Sequence, residues 1–117
     1  MSDGTDVRRG DVVIVRFDPA EGHEVKKTRP AVVVQNDVGN RNSSTTIVAP
    51  ATGTHRGYPF EVLVEAEGSP FEEDSSIRLD QIRVVSNERR IHSVSGSLDA
   101  PTMAEVDAAL KLSLGLD

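Results

Sequence analysis

Two residues in this chain have types and positions suited to chemistry on a phosphate. Arg29 stands in His23-Glu24-Val25-Lys26-Lys27-Thr28-Arg29-Pro30, where a polar loop meets an apolar run. Pro30 biases Arg29 toward an extended backbone, so its planar fork can be held on a rigid element and aimed at an anion. Lys26 and Lys27 add positive charge beside it. The same arginine can instead lay its stem over the core and pair with Glu24 or Asp37. Thr52 ends Val48-Ala49-Pro50-Ala51-Thr52, where the chain must leave a strand. Its hydroxyl can hold a phosphoryl oxygen, although capping the turn is the simpler reading. A third feature is Asp80-Gln81-Ile82-Arg83, in which Gln81 and Arg83 share a face if the strand is regular. That face can meet RNA, a partner or solvent.

Other chemistries find little support. His23, His55 and His92 are far apart and lack the spacing of metal ligands. Glu72-Glu73-Asp74 lacks the loop of a calcium site and reads as a solvated turn. No glycine opens a helix after a strand, so phosphate loops and dinucleotide folds are not indicated, and no nucleophile elbow is present. The chain has no cysteine, which removes disulfides, thiolate zinc sites and thiol nucleophiles. Asn42-Ser43-Ser44 matches a glycosylation sequon, which has no meaning without a secretory route.

The elements that position these residues are mostly strands. Val12, Val13, Ile14, Val15 and Phe17 form a β-branched and aromatic run, stopped by Asp18-Pro19. Residues 19–27 form a polar loop, longer than a usual hairpin connection. Further strands are expected at residues 31–35, 46–49, 60–65, 77–79 and 82–85, with a turn or single helical turn at 36–44. The C-terminus predicts a helix, with Thr102 or Asp99 as its cap, Pro101 in its first turn and Gly115 at its end. Met103, Val106, Leu110 and Leu114 make its apolar stripe. Five or six short strands and one late helix describe a small, half-open barrel. A single domain over residues 1–117 is expected, with residues 1–7 fraying.

With 117 residues, 37% hydrophobic and 27% charged, the chain is an ordinary globular candidate. Its net charge of −6 argues against adhesion to nucleic acid through bulk charge, so such contact needs a local basic patch. No apolar run approaches the roughly 20 residues that span a bilayer, and the first residues lack the pattern of a signal peptide. A cytoplasmic protein is expected.

Taken in order, Arg9-Gly10-Asp11-Val12, Gly22-His23-Glu24, Thr28-Arg29-Pro30-Ala31-Val32-Val33-Val34, Asn36-Asp37 with Asn40-Arg41, Ile47-Val48-Ala49-Pro50-Ala51-Thr52 and Leu79-Asp80-Gln81-Ile82-Arg83 resemble the MazF/PemK toxin family. The final helix continues the likeness, which covers roughly residues 8–117. The resemblance implies a mainly β fold with a C-terminal helix, a small SH3-like barrel shared with the gyrase poison CcdB, and a homodimer with RNA along its groove. It implies a sequence-specific, metal-independent endoribonuclease of single-stranded RNA that needs no cofactor and is neutralised by a cognate antitoxin. Arg29 and Thr52 fall on the family's catalytic pair. Residues 19–27 correspond to a mobile loop beside the active site. There the chain departs from commoner members, since Lys26 and Lys27 stand where small residues are frequent, and this added charge is expected to affect RNA affinity more than chemistry. Glu24 is expected as an accessory. Gln81 is implied in RNA binding. Phe17 is either a stacking surface near that loop or ordinary core. The general base is left open between Glu24 and His23. A non-catalytic toxin of the same fold that binds a protein such as gyrase is the alternative.

Overall fold

The computed structural model describes residues 6–17 and 27–116, and of Lys27 the backbone alone. The expected run forms β1 (Asp11–Phe17); then come β2 (Lys27–Val33), α1 (Asp37–Asn42) and β3 (Thr45–Thr52). The short strands β4 (Glu61–Val64), β5 (Ser75–Arg78) and β6 (Arg83–Ser86) follow, then α2 (Asn87–Arg90), β7 (Ile91–Ser97) and α3 (Ala100–Leu114). The sheet is antiparallel in the order β4-β5-β3-β2-β1-β7, with β6 also on β3. Mainly β with a C-terminal helix is therefore what the chain forms.

Two strand expectations need correction. β2 begins at Lys27, so Arg29 and Pro30 lie inside the strand and not before it. Pro30 is tolerated because pairing with β3 starts only at Ala31, leaving that edge of β2 without a ladder at the proline. β7 and α2 were not expected at all. In β7 only Ile91 is buried, so it carries no apolar alternation to betray a strand. It is held by pairing with β1, with register shifts between Val12 and Val13 and between Ile14 and Val15.

Alternation along the three central strands feeds two cores. Val12, Val32 and Ala49 enter one cluster with Ile77, Leu79, Phe71 and the α3 residues Val106 and Ala109. Val13, Val15, Ala31, Val33 and Val48 enter the other with Val85 and Ile91. Val7 is buried in that second cluster.

α3 starts at Asp99, whose carboxylate accepts the Thr102 N–H at 2.9 Å, which settles the cap in favour of Asp99. It ends at Gly115, whose φ of 74° places it in the left-handed region, with Leu116 N–H donating to the Lys111 carbonyl. The apolar stripe stops short of expectation, because Leu114 is exposed. Arg9 ties the helix to the sheet: its guanidinium reaches Asp107 at 2.8 Å and the Val34 carbonyl at 2.8 Å. Among the described residues, no helix is long and apolar enough to cross a membrane.

Candidate active site

Arg29 and Thr52 come to one cavity at the place where β2 and β3 part. In the β2–β3 ladder Ala31 faces Pro50, Val32 faces Ala49 and Val33 faces Val48. The ladder does not continue. After Pro50 the strand β3 turns to β5, where Ala51 faces Ile77 and Thr52 faces Ser76. A cavity of about 780 Å³ opens at this divergence, and both Arg29 and Thr52 line it. Val12, Ile14 and Pro30 supply apolar wall from β1 and β2.

Both residues are half-buried. The Thr52 hydroxyl donates to the Thr54 carbonyl at 3.1 Å and accepts the Thr54 N–H at 3.4 Å. The turn-capping reading of Thr52 is thus correct, and the same hydroxyl stands at the cavity. Rotating its proton away from the Thr54 carbonyl would give it to an anion. Asp37, one sequence candidate for pairing with Arg29, is engaged elsewhere: Oδ1 accepts the Arg9 N–H at 2.7 Å and the Asn40 amide at 3.1 Å. These bonds, the Arg9 amide foremost, hold the Asp37 carboxyl below its ordinary pKa.

The cavity has two walls that sequence reasoning missed. Glu72, Glu73 and Asp74, in the turn before β5, form an acidic rim. Read locally they are a solvated turn, and they are indeed exposed, but the fold brings them to the cavity that holds Arg29. Ser93 and Ser95 of β7 supply hydroxyl-bearing wall. Only the alternate spacing of these serines hinted at one shared face.

The other candidates lie elsewhere. Phe17 packs at the edge of the second core cluster, with the Arg83 guanidinium 5.0 Å from its ring centroid. It is half-buried and does not line the cavity. Gln81 is exposed in the turn before β6 and donates its N–H to the Arg78 carbonyl at 3.2 Å. Because β6 begins at Arg83, no regular strand joins them and the expected shared face is absent. His23, Glu24 and Lys26 lie outside the described residues, as does the Lys27 side chain. Among the described residues no group of three metal-ligating side chains is found.

Beyond Thr52, residues 53–60 are organised by Glu61. Its buried carboxylate accepts the N–H groups of Arg56 at 2.9 Å, Gly57 at 3.0 Å and Tyr58 at 3.4 Å. Burial pushes the carboxyl up, but these three donors and the Arg78 charge outweigh it and hold the pKa below its ordinary value. Tyr58 and Phe60 stack with centroids 5.1 Å apart.

A small antiparallel sheet capped by a late helix, with a cationic and hydroxylic cavity where two strands part, has close counterparts among solved structures. An endoribonuclease from mycobacterial species superposes with a TM-score of 0.80, at 21% identity over 98% of this chain and 97% of that one. MazF in its complex with MazE from Deinococcus radiodurans gives 0.78, at 27% identity over 97% and 99%. Endoribonuclease EndoA of Bacillus subtilis is 41% identical over 112 residues, 94% of this chain and 96% of that protein. The family described as PemK-like, MazF-like toxin of type II toxin–antitoxin systems matches residues 8–114, and this chain belongs to it.

Proposed function

We propose that the protein is an endoribonuclease toxin that cuts single-stranded RNA without a metal and is neutralised by a cognate antitoxin. The observation that carries this reading is the placement of Arg29 and Thr52 on one cavity, in a chain of this family. The names of relatives support it: EndoA is an endoribonuclease, and related toxins have been solved with antitoxin bound.

Metal-free cleavage uses the substrate's own nucleophile. The ribose 2′-hydroxyl attacks the adjacent phosphorus, the bond to the 5′-oxygen breaks, and the products carry a 2′,3′-cyclic phosphate and a 5′-hydroxyl. The phosphorane gathers negative charge on its free oxygens. Arg29 meets that charge with its two-pronged guanidinium, and Thr52 donates a further hydrogen bond. One proton must leave the 2′-hydroxyl and another must reach the 5′-oxygen. Glu24 is proposed as an accessory to these transfers and Lys26 and Lys27 as phosphate contacts, from a segment outside the described residues. Gln81 is proposed to contact a base from its exposed turn.

The net charge of −6 fits RNA binding if two copies of the chain bring their cations to one groove, so a homodimer is part of the proposal. An antitoxin segment rich in acidic residues would compete for that groove. The reading places the reaction in the cytoplasm, where messenger RNA is the substrate. The test is cleavage of a long single-stranded RNA in EDTA by wild type and Arg29→Ala, with analysis of product ends. Cleavage that survives chelation, leaves 5′-hydroxyl ends and is lost in the variant supports the reading. Intact RNA across diverse sequences overturns it.

A further inference from the structure

Glu61 is an unusual investment for a four-residue strand. Its side chain is fully buried, one oxygen is spent on the backbone of residues 56–58, and among the described residues the other, Oε2, makes no hydrogen bond. Arg78 Nε lies 3.4 Å from Oε2. That guanidinium is committed in turn to Asp80, with Nε donating to Oδ1 at 2.9 Å and Nη2 to Oδ2 at 2.7 Å. A chain of alternating charge therefore runs from the loop after Thr52, through the buried Glu61, to the exposed turn that carries Gln81. His55 braces the same loop, with Nδ1 2.9 Å from the Ser76 hydroxyl and 3.4 Å from Glu61 Oε1, and Ser76 is the residue that faces Thr52 across β3 and β5.

The loop so fixed begins at the cavity, since Thr52 and Gly53 line it. It then presents Thr54, Arg56 and Tyr58 to solvent, which are a hydroxyl, a cation and a half-exposed aromatic plate. A nucleotide next to one held at Arg29 must pass these groups. Reading a base by stacking or by its edge demands that they stand still, and backbone amides bound to a buried carboxylate supply that stillness.

We propose that Glu61 is a positioning residue: through the Arg56–Tyr58 amides and the Arg78–Asp80 pair it holds the loop after Thr52 and the turn of Gln81 as one rigid reading unit, which sets which RNA sequence is accepted. This rests on the ribonuclease reading. The prediction separates recognition from the chemical step. Glu61→Gln keeps shape and an acceptor for the amides but turns an N–H₂ group toward Arg78, while Arg78→Lys breaks the two-pronged grip on Asp80.

The experiment measures steady-state cleavage of one preferred oligonucleotide, maps 5′-hydroxyl ends across a mixed transcript pool, and follows amide exchange at residues 56–58. In Glu61→Gln, KM should rise by about tenfold while kcat falls by less than about threefold, and the set of cut sites should widen. Arg78→Lys should move in the same direction with a smaller rise, and amides 56–58 should exchange faster in both variants. Unchanged KM and cut sites in a folded Glu61→Gln protein overturn the inference even though the wild type cleaves RNA. So does an equal fall in kcat and kcat/KM with the same sites cut, which marks a merely structural residue. A wild type that cleaves nothing, with amides 56–58 protected, overturns the ribonuclease reading and this inference with it.

Discussion

The two ends of β3 have been put to opposite uses. At its start the strand pairs with β6 from Thr45↔Ser86 to Val48↔Arg83, and its one buried polar residue is fully engaged. Thr46 donates to Asn40 Oδ1 at 2.6 Å, Asn40 donates to the Gln35 carbonyl and to Asp37, and Gln35 reaches back to Asn40 and the Thr45 carbonyl. At its far end, six residues on, Pro50 ends the ladder with β2, Thr52 is half-buried, and its hydroxyl is tied only to its own turn. Interior polar groups need every partner, because an unmet one costs most where water cannot reach. The proposed anion site needs the reverse, with donors held in place by groups that can release them.

That contrast can be broken from either end. The largest effect on activity is expected from Arg29→Ala, which should lower the cleavage rate by about 10²–10³ with little change in melting temperature. Thr52→Val, which keeps the shape and removes the hydroxyl, should cost about tenfold in rate and likewise spare the fold. The opposite pattern is expected from Val48→Ala, fully buried in the first half of β3, which should lose about 2–3 kcal/mol of stability in a denaturant melt. Asn40→Ala should lose about 1–3 kcal/mol by stranding Thr46 and Gln35, while the folded fraction keeps wild-type kcat. A variant at the start of β3 that altered kcat in folded protein would defeat the division drawn here.

Acid sharpens the same comparison. Asp37, Glu61 and Asp99 all have carboxyl pKa values held below the ordinary 3.8 or 4.5. A lowered pKa means the folded state prefers the charged form, so this stability is fully present above the ordinary values and is lost as pH falls through the lowered ones. Melting temperature should be flat near neutrality and drop below about pH 4.5, and Glu61→Gln should remove part of that drop. The smallest effect belongs to the rim. Replacing Glu72 and Glu73 by Gln should raise kcat/KM by about twofold to fivefold at low salt, with the gain vanishing as salt screens it.

How far the sequence discloses this arrangement depends on burial. β1 and the apolar part of β2 are legible because their residues are β-branched and buried on both faces, and α3 is legible from its cap, its proline and Gly115. β7 is not, since His92, Ser93, Val94 and Ser95 are exposed and the strand is held by its neighbour's backbone, which leaves no mark on side-chain choice. Of the site, Arg29 and Thr52 can be singled out by type and by family resemblance. That both line one cavity depends on where β3 parts from β2, which no local pattern encodes. The acidic rim escapes for a related reason: Glu72-Glu73-Asp74 looks the same whether it borders solvent or a cavity. Glu61 escapes because its partners are amides, and every residue has one.

The parting of β3 from β2 at Pro50 also bears on how such a protein can change over time. The ladder from Thr45 to Pro50 carries the interior, and nothing in it depends on the length of the excursion between Gly53 and Phe60. Because lengthening an exposed loop costs only about 0.6 kcal/mol per doubling, insertions there are cheap so long as Glu61 still finds amides to hold. The scaffold can therefore stay constant while substrate choice drifts, and descendants of one ancestor can diverge in what they cut without relearning how to fold.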